Sequence, residues 1–387
     1  MVTFSPHHLF VAVLSAFLIS SVQAETTVRI EGALDVGVKY TKKTHQPSTF
    51  VMVNNTEVDV PSKWSIRATE KINDDLTVKA VLTSGLNTDT GSVAMYPMSA
   101  ANLFSVQSSV ALRFKNLEIA FGRLGALSGP CGDYAGYRRL QMNPTGSAIG
   151  DLGIGGMSVN HFVVDNAVVL TSTNNTGVFG SFLYSNGDHA VANMGGDQEN
   201  TLDWSDRRHL IQGLVGFREG PLSMGMILTH DRPVTNMRTG LRKKAANLVH
   251  ITAKWNAGDF AITGTAFYAT NLTGSFQTPA VGLGIHPRDL GTSKKGLTTK
   301  SLYGGVNFPR GQHFYALSLG VGQTEWKGET RLTKGELKGN HVRIGGLYRY
   351  HLSKKTHVYF AGAVKHGKDL AKATGGHMLT GGLVHKF

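Results

Sequence analysis

A single cysteine, Cys131, among 387 residues rules out an internal disulfide framework. Past residue 24 no apolar run reaches the ~20 residues a helix needs to cross a hydrocarbon core, because charges break each candidate, as Asp165 breaks His161 to Leu170. Proline is scarce, at 11 residues, and acidic groups are outnumbered: 26 Asp and Glu stand against 39 Lys and Arg, a formal net charge of +13. That balance suits lipid phosphate or anionic solutes. No basic helix, zinc spacing or aromatic RNA-binding motif accompanies it, so nucleic acid is not a predicted partner. The 16 histidines are dispersed without metal-ligand spacing, and no motif calls for a cofactor.

What is present begins with an export signal. Leu9 to Ile19 is an apolar stretch too short to span a membrane, followed by Ser20, Ser21, Val22, Gln23 and Ala24 with small residues at the cleavage position. The reading is a signal peptide over 1–24 and one domain over 25–387. The segment departs from the usual pattern in carrying only His7, His8 and the amino terminus ahead of the apolar run.

From residue 25 onward the organising signal is period two. Val28, Ile30, Gly32, Leu34, Val36, Val38 and Tyr40 share one face; Arg29, Glu31, Ala33, Asp35, Gly37 and Lys39 share the other. A helix would scatter these charges around its circumference, whereas a strand separates a greasy face from a wet one. Similar alternation is followed near 61–72, 75–86, 104–115, 117–124, 161–172, 176–186, 207–217 and 221–231. It continues near 246–256, 259–270, 299–308, 311–323, 340–351, 355–366 and 376–387. The pattern predicts an all-β transmembrane antiparallel barrel of about 16 strands.

Connections alternate in length. Asn73-Asp74-Asp75, Asn116, Asn174-Asn175, Glu219-Gly220, Ala257-Gly258, Pro309-Arg310 and Ser353-Lys354 read as tight turns. Between them lie long polar excursions, 87–103, 187–206, 271–298 and 367–375. Short turns on one rim and long loops on the other are the arrangement of an outer-membrane barrel, with the periplasm on the short side. The chain closes on an outward row, Leu379, Gly381, Leu383, His385 and Phe387, whose terminal aromatic belongs in an interfacial girdle. A soluble all-β secreted protein is the competitor that composition alone does not remove.

These segments resemble the general trimeric porins of Gram-negative bacteria, in the form found in Neisseria and the betaproteobacteria. Residues 27–37 are similar to the family's first strand, V-T-L-Y-G-x-x-D-x-G, and Trp64 to Glu70 to its W-G-x-[RK]-G-x-E. Leu86 to Gly91, Phe121-Gly122-Arg123 and Val164 to Val168 resemble the loop after strand three, the L-G-R before the third loop and the V-D-N-S-[VI] after it. Tyr350 to Tyr359 is similar to Y-x-L-S-K-R-T-x-x-Y, and Gly382 to Phe387 to the closing G-L-R-H-R-F. Arg113, Val169 and Val384 depart from the pattern, so a relative's lumenal charges do not transfer. The resemblance implies sixteen strands, a homotrimer, an outer-membrane address, and a third external loop, here about Leu124 to Asn160, folded into the lumen. It also makes Leu383, His385 and Phe387 the closure and assembly signal.

A pore selects by the charge and width of its narrowest part. Alternation puts Arg29, Lys39, Arg67, Lys79, Arg113, Lys254, Arg343, Arg349 and Lys386 on wet faces, with Glu31 and Asp35 as the main acids there. The lumen therefore reads as net positive and anion-preferring. The resemblance places Arg67 and Arg123 near a constriction, alternation adds Arg113, and Asp133 and Asp151 on the third loop are expected to face them. Predicted partners are outer-membrane lipid and lipopolysaccharide, and small anionic solutes. A barrel phospholipase or protease is the competing enzyme reading, but no motif selects one Ser or His over the rest. A plugged structural barrel is the other alternative.

Overall fold

The computed structural model describes residues 25–44, 46–52, 59–93, 103–140, 162–174, 176–186, 207–233, 244–272, 296–329, 334–369 and 375–387. The expected signal peptide and most of the long excursions lie outside the described residues. Among the described residues, seventeen strands form one sheet. The first half comprises β1 (Glu25–Lys43), β2 (Thr49–Met52), β3 (Lys63–Lys71), β4 (Leu76–Gly85), β5 (Gln107–Phe114), β6 (Leu117–Gly125), β7 (Val163–Ser172) and β8 (Gly177–Ser185). There follow β9 (His209–Glu219), β10 (Leu222–Arg232), β11 (Ala246–Asn256), β12 (Ala261–Leu272), β13 (Leu297–Arg310), β14 (His313–Glu329), β15 (Lys334–His351), β16 (Thr356–Asp369) and β17 (Gly376–Lys386).

Each long strand pairs antiparallel with its sequence neighbours, and β1 closes the ring against β17 from Ala33↔Lys386 to Lys43↔Gly376. The short β2 pairs with the upper part of β1, while β3 takes the lower part, so sixteen strands make the barrel. Among the described residues, closure of β1 on β17 pairs the first and last barrel strands, as passage through lipid requires.

Alternation sorts the faces as the sequence predicts. On β1, Val28 and Ile30 are 64% and 68% exposed on the outside, while Ala33 and Asp35 are buried within. On β17, Leu379 and Leu383 face out, and Met378 and Val384 face in. At the short-turn rim the outward aromatics Tyr315, Tyr348 and Trp255 with Phe260 gather into a girdle, ring centroids 5.2 Å apart for the first pair and 6.0 Å for the second.

Three boundaries differ from expectation. β14 runs to Glu329 and β15 starts at Lys334, well past the predicted 323 and 340. There the chain is polar at both parities (Gln323-Thr324-Glu325, Lys338-Gly339-Asn340), and a hairpin projecting beyond the lipid needs no greasy face, so the periodic signal stops before the strand does. β2 was not expected, being too short to show a period. The turn predicted at Pro309-Arg310 lies one step on, at Gly311-Gln312, where Gly311 has φ 59°, and Arg310 ends the strand.

One sector of the inner wall is apolar: Val169, Leu183, Leu210, Leu214 and Ile227 point inward on β7 to β10. Water does not cover them. Ala126, Leu127, Tyr134 and Leu140, from the segment after β6, complete the cluster. Gly136 permits the approach, since a Cβ there would lie 2.5 Å from both the Leu127 carbonyl oxygen and Leu214 Cδ1.

Candidate functional site

The described part of the segment after β6, residues 126–140, is tied to the inner wall at several points. Leu127 N–H donates to Gln212 Oε1 (2.7 Å) on β9, and Asp133 N–H donates to Gln107 Oε1 (3.0 Å) on β5. Both glutamines are buried, so their amides replace water as partners for loop backbone. Tyr134 donates its hydroxyl to Glu118 Oε1 (2.8 Å), and Lys79 Nζ donates to the other oxygen (2.5 Å). Burial, followed by the charge of Glu118, pushes the Tyr134 phenol above its usual range and keeps it a donor.

Arg67, on β3, is the charged anchor of this segment. Its guanidinium donates in parallel to both oxygens of Asp133, at 2.6 and 2.8 Å, and its Nε donates to Glu31 Oε1 at 2.5 Å. The bidentate geometry fixes direction as well as charge. Both partners are partly exposed, with side-chain exposures of 28% for Arg67 and 31% for Asp133.

Arg113 and Arg123, also singled out from the sequence, do not join them. Arg113 stands on the inner face by the short-turn rim, donating to the Lys115 carbonyl (3.4 Å) and Thr173 Oγ1 (3.2 Å). It is four positions along β5 from Ser109, whose level Arg67 shares through Val81. Arg123 pairs in register with outward Ser108, at a bulge where it alone opposes Asp165 and Asn166. Its guanidinium donates to Asp165 and to the Ser105 carbonyl, and Asn166 takes φ 48° to make the extra residue fit. Along β6 Arg123 has the parity of outward Leu117 and Phe121, so its expected place near a constriction rested on the resemblance and not on alternation. Asp151 lies outside the described residues. Leu383 and His385 face outward, His385 Nδ1 meeting Thr356 Oγ1 at 2.9 Å. Phe387 exchanges backbone hydrogen bonds with Gly32, at 3.1 and 3.2 Å.

Period-two reading also undercounted acids. Asp59, ahead of β3, accepts from Arg349 (2.7 and 2.5 Å) and meets His357 Nε2 at 2.7 Å; Asp231 on β10 accepts from Arg208 (2.7 and 2.5 Å). Glu118 occupies Lys79. Much of the expected positive charge is thus neutralised pair by pair.

A second cationic group went unnoticed in the sequence because one member sits on the loop. Arg139 donates to Thr171 Oγ1 (2.6 Å), Ser181 Oγ (2.8 Å) and the Ser172 carbonyl (3.0 Å), all neutral oxygens. Arg218 donates to the Arg139 carbonyl (2.6 Å). Both guanidinium groups stand over the Phe179 ring, 4.8 and 5.7 Å from its centroid. Burial, then the Arg218 charge, lowers the Arg139 pKa. The inward parity of Arg218 and Phe179 was the available signal.

A closed sixteen-stranded barrel with a charged inner wall and one connection packed against that wall defines the class of outer-membrane channels. The family model described as "Gram-negative porin" matches residues 11–370, and the chain belongs to that family. An outer membrane porin protein of Bordetella pertussis is 26% identical over 386 aligned positions, covering 92% of this chain and 93% of that protein. Among solved structures, the anion-selective porin from Comamonas acidovorans superposes with a TM-score of 0.62 at 18% identity, covering 94% of this chain and all (100%) of that one. The trimer form of OmpT from Vibrio cholerae gives 0.57 at 13% identity, covering 94% and 99%. The chain is an outer-membrane porin.

Proposed function

We propose that this porin is a homotrimeric passive diffusion channel for small hydrophilic solutes with a preference for anions, and that it has no enzymatic role. The observation that carries the preference is the Arg139 and Arg218 pair, whose guanidinium groups bond neutral oxygens while Arg67, Lys79, Arg208 and Arg349 each hold a carboxylate. Unneutralised charge in a narrow wet passage attracts counter-ions. The similarity to an anion-selective porin agrees with this reading.

In the same reading the segment after β6 narrows the lumen, with Arg67 on the wall facing Asp133 on the segment. The contacts of 126–140 with β3, β5, β6 and β9 support it. Asp151 remains a candidate for the same narrowing, Arg113 acts at the periplasmic vestibule, and Arg123 shapes the wall through its bulge. Residues 1–24 are the cleaved export signal, and Leu383, His385 and Phe387 close the barrel and direct assembly. Outer-membrane lipid and lipopolysaccharide contact the outer face.

Reversal potential in a salt gradient across a planar bilayer tests the proposal. Anion preference at low salt that weakens at high salt is expected; cation preference sinks it. Unheated detergent samples migrating at the mass of a monomer would count against the trimer.

A further inference from the structure

On the outer surface, four strands align one polar row. Lys300 on β13 opposes Gln323 on β14, which opposes Asn340 on β15, which opposes Lys368 on β16. All four have outward parity, and the two amides are joined, Gln323 Nε2 donating to Asn340 Oδ1 at 2.8 Å. The next outward row below is Leu302, Val321, Val342 and His366, then Leu319, Ile344 and Val364. These aliphatic side chains are 41% to 60% exposed. A groove of about 610 Å³ follows the boundary between the polar row and the first apolar one.

Height along the wall places the boundary. About ten residues separate Gln323 from the short turn, ~33 Å of strand, which at a tilt near 45° rises roughly 23 Å. The apolar band of such barrels is about 25 Å tall, so the row stands where outer-leaflet headgroups begin. At the short-turn rim this sector carries the Tyr315 and Tyr348 girdle. At the opposite rim, among the described residues, it carries two lysines around an amide pair. The row above adds Lys338 opposite Glu325, one further base and one acid.

We propose that this groove docks an outer-leaflet lipid with an anionic, phosphate-bearing headgroup. Lys300 and Lys368 hold the phosphates, the Gln323 and Asn340 amides bond sugar or glycerol oxygens, and the acyl chains lie over Leu302, Val321 and Val342. The lysines are three strand spacings apart, ~14 Å at Cα, a span that two flexible side chains narrow to the width of a headgroup with two phosphates. Charge complementarity selects this occupant, since two lysines flanking an amide pair above an apolar row match a phosphate-bearing headgroup over its acyl chains. The site deepens the lipid partnership proposed above and is independent of the conducting pathway.

Native mass spectrometry of the folded protein in detergent, with diphosphorylated lipid A as probe, tests it. Wild type should retain the lipid, and K300Q/K368Q should retain it roughly thirtyfold more weakly, the ratio for two lysines each contributing about 1 kcal/mol. Lipid A stripped of phosphate should bind wild type as weakly, inorganic pyrophosphate should not displace the intact lipid, and K354Q at the short-turn rim should match wild type. Heat-modifiable gel migration of K300Q/K368Q verifies folding. Unchanged retention by K300Q/K368Q overturns the site; so does full displacement by pyrophosphate, which would make it a phosphate site only. Loss of oligomer mass in that variant with unchanged lipid adducts would assign the face to subunit contact. Conductance of the same samples separates the readings: a conducting wild type without lipid adducts sinks this proposal alone, and a lipid-binding protein that does not conduct sinks only the channel reading.

Discussion

Arg67 grips both carboxylate oxygens of Asp133, at 2.6 and 2.8 Å, and so ties the segment after β6 to the wall of β3 across 66 residues of sequence. Removing one partner therefore has two effects, freeing the segment and exposing an opposite charge. Arg67→Ala leaves Glu31 and Asp133 uncompensated and should move the reversal potential towards cations, while Asp133→Asn should move it towards anions. Unit charges 4 Å apart interact by about 1 kcal/mol in bulk water, so permeability ratios should change by roughly fivefold at 0.1 M salt. The change should largely vanish at 1 M, where the Debye length is about 3 Å. Salt-gradient recordings on both variants check the signs, and shifts in the same direction would refute the charge argument.

Arg139 and Arg218 should matter more, because neither bonds a carboxylate. Arg218→Gln is expected to reduce anion preference at low salt by more than Arg67→Ala does, and Arg139→Gln/Arg218→Gln to abolish it. Single-channel recordings at matched salt concentrations make the comparison. A double variant with wild-type selectivity would show that the pathway runs elsewhere.

Barrel closure offers a steric test. A Cβ on Gly32 would lie 2.4 Å from Phe387 Cζ and 2.7 Å from the Lys63 carbonyl oxygen, so Gly32→Val must displace the terminal ring and strain the β1–β3 pairing. We expect Gly32→Val and removal of Phe387 to lower the heat-modifiable, membrane-inserted fraction several-fold. Ala33, next door but inward, should tolerate Ser. Full insertion of Gly32→Val, read by gel migration of outer-membrane fractions, would show that the ring need not rest there.

Asp59 should govern acid stability. Burial alone would raise its carboxyl, but the hydrogen bond from His357 and the charge and hydrogen bonds of Arg349 outweigh it and hold the pKa below the ordinary carboxylate range. A group depressed on folding contributes stability that is complete above its unfolded pKa, about 3.9, and is lost as pH falls through the lower folded value. Asp59→Ala strands Arg349 and should destabilise the barrel by about 3 kcal/mol at neutral pH. The gap between variant and wild type in thermal unfolding should narrow as pH falls below the ordinary carboxylate range, and a gap independent of pH would exclude this ion pair as its source.

Alternation alone determined the barrel, the strand positions and the split between a lipid face and a water face, because a half-buried strand must repeat every two residues. Short turns marked one rim for the same local reason: Asn73 Oδ1 accepts from the N–H groups of Asp75 and Leu76, a bend written in three adjacent residues. Arg67 was legible as inward for that reason too. Arg123 came from the resemblance, since the period gives it the parity of outward Leu117 and Phe121, and nothing local announces the bulge that sets it opposite Asp165. Whether an inward charge is free or neutralised was beyond the period altogether. Asp59 reaches Arg349 across 290 residues, and Arg139 reaches Phe179 only once the chain after β6 packs on Leu214 and Ile227. Side-chain direction is a property of one strand and is set by covalent geometry; the partner at the end of that side chain is a property of the closed ring, and only the tertiary structure decides it.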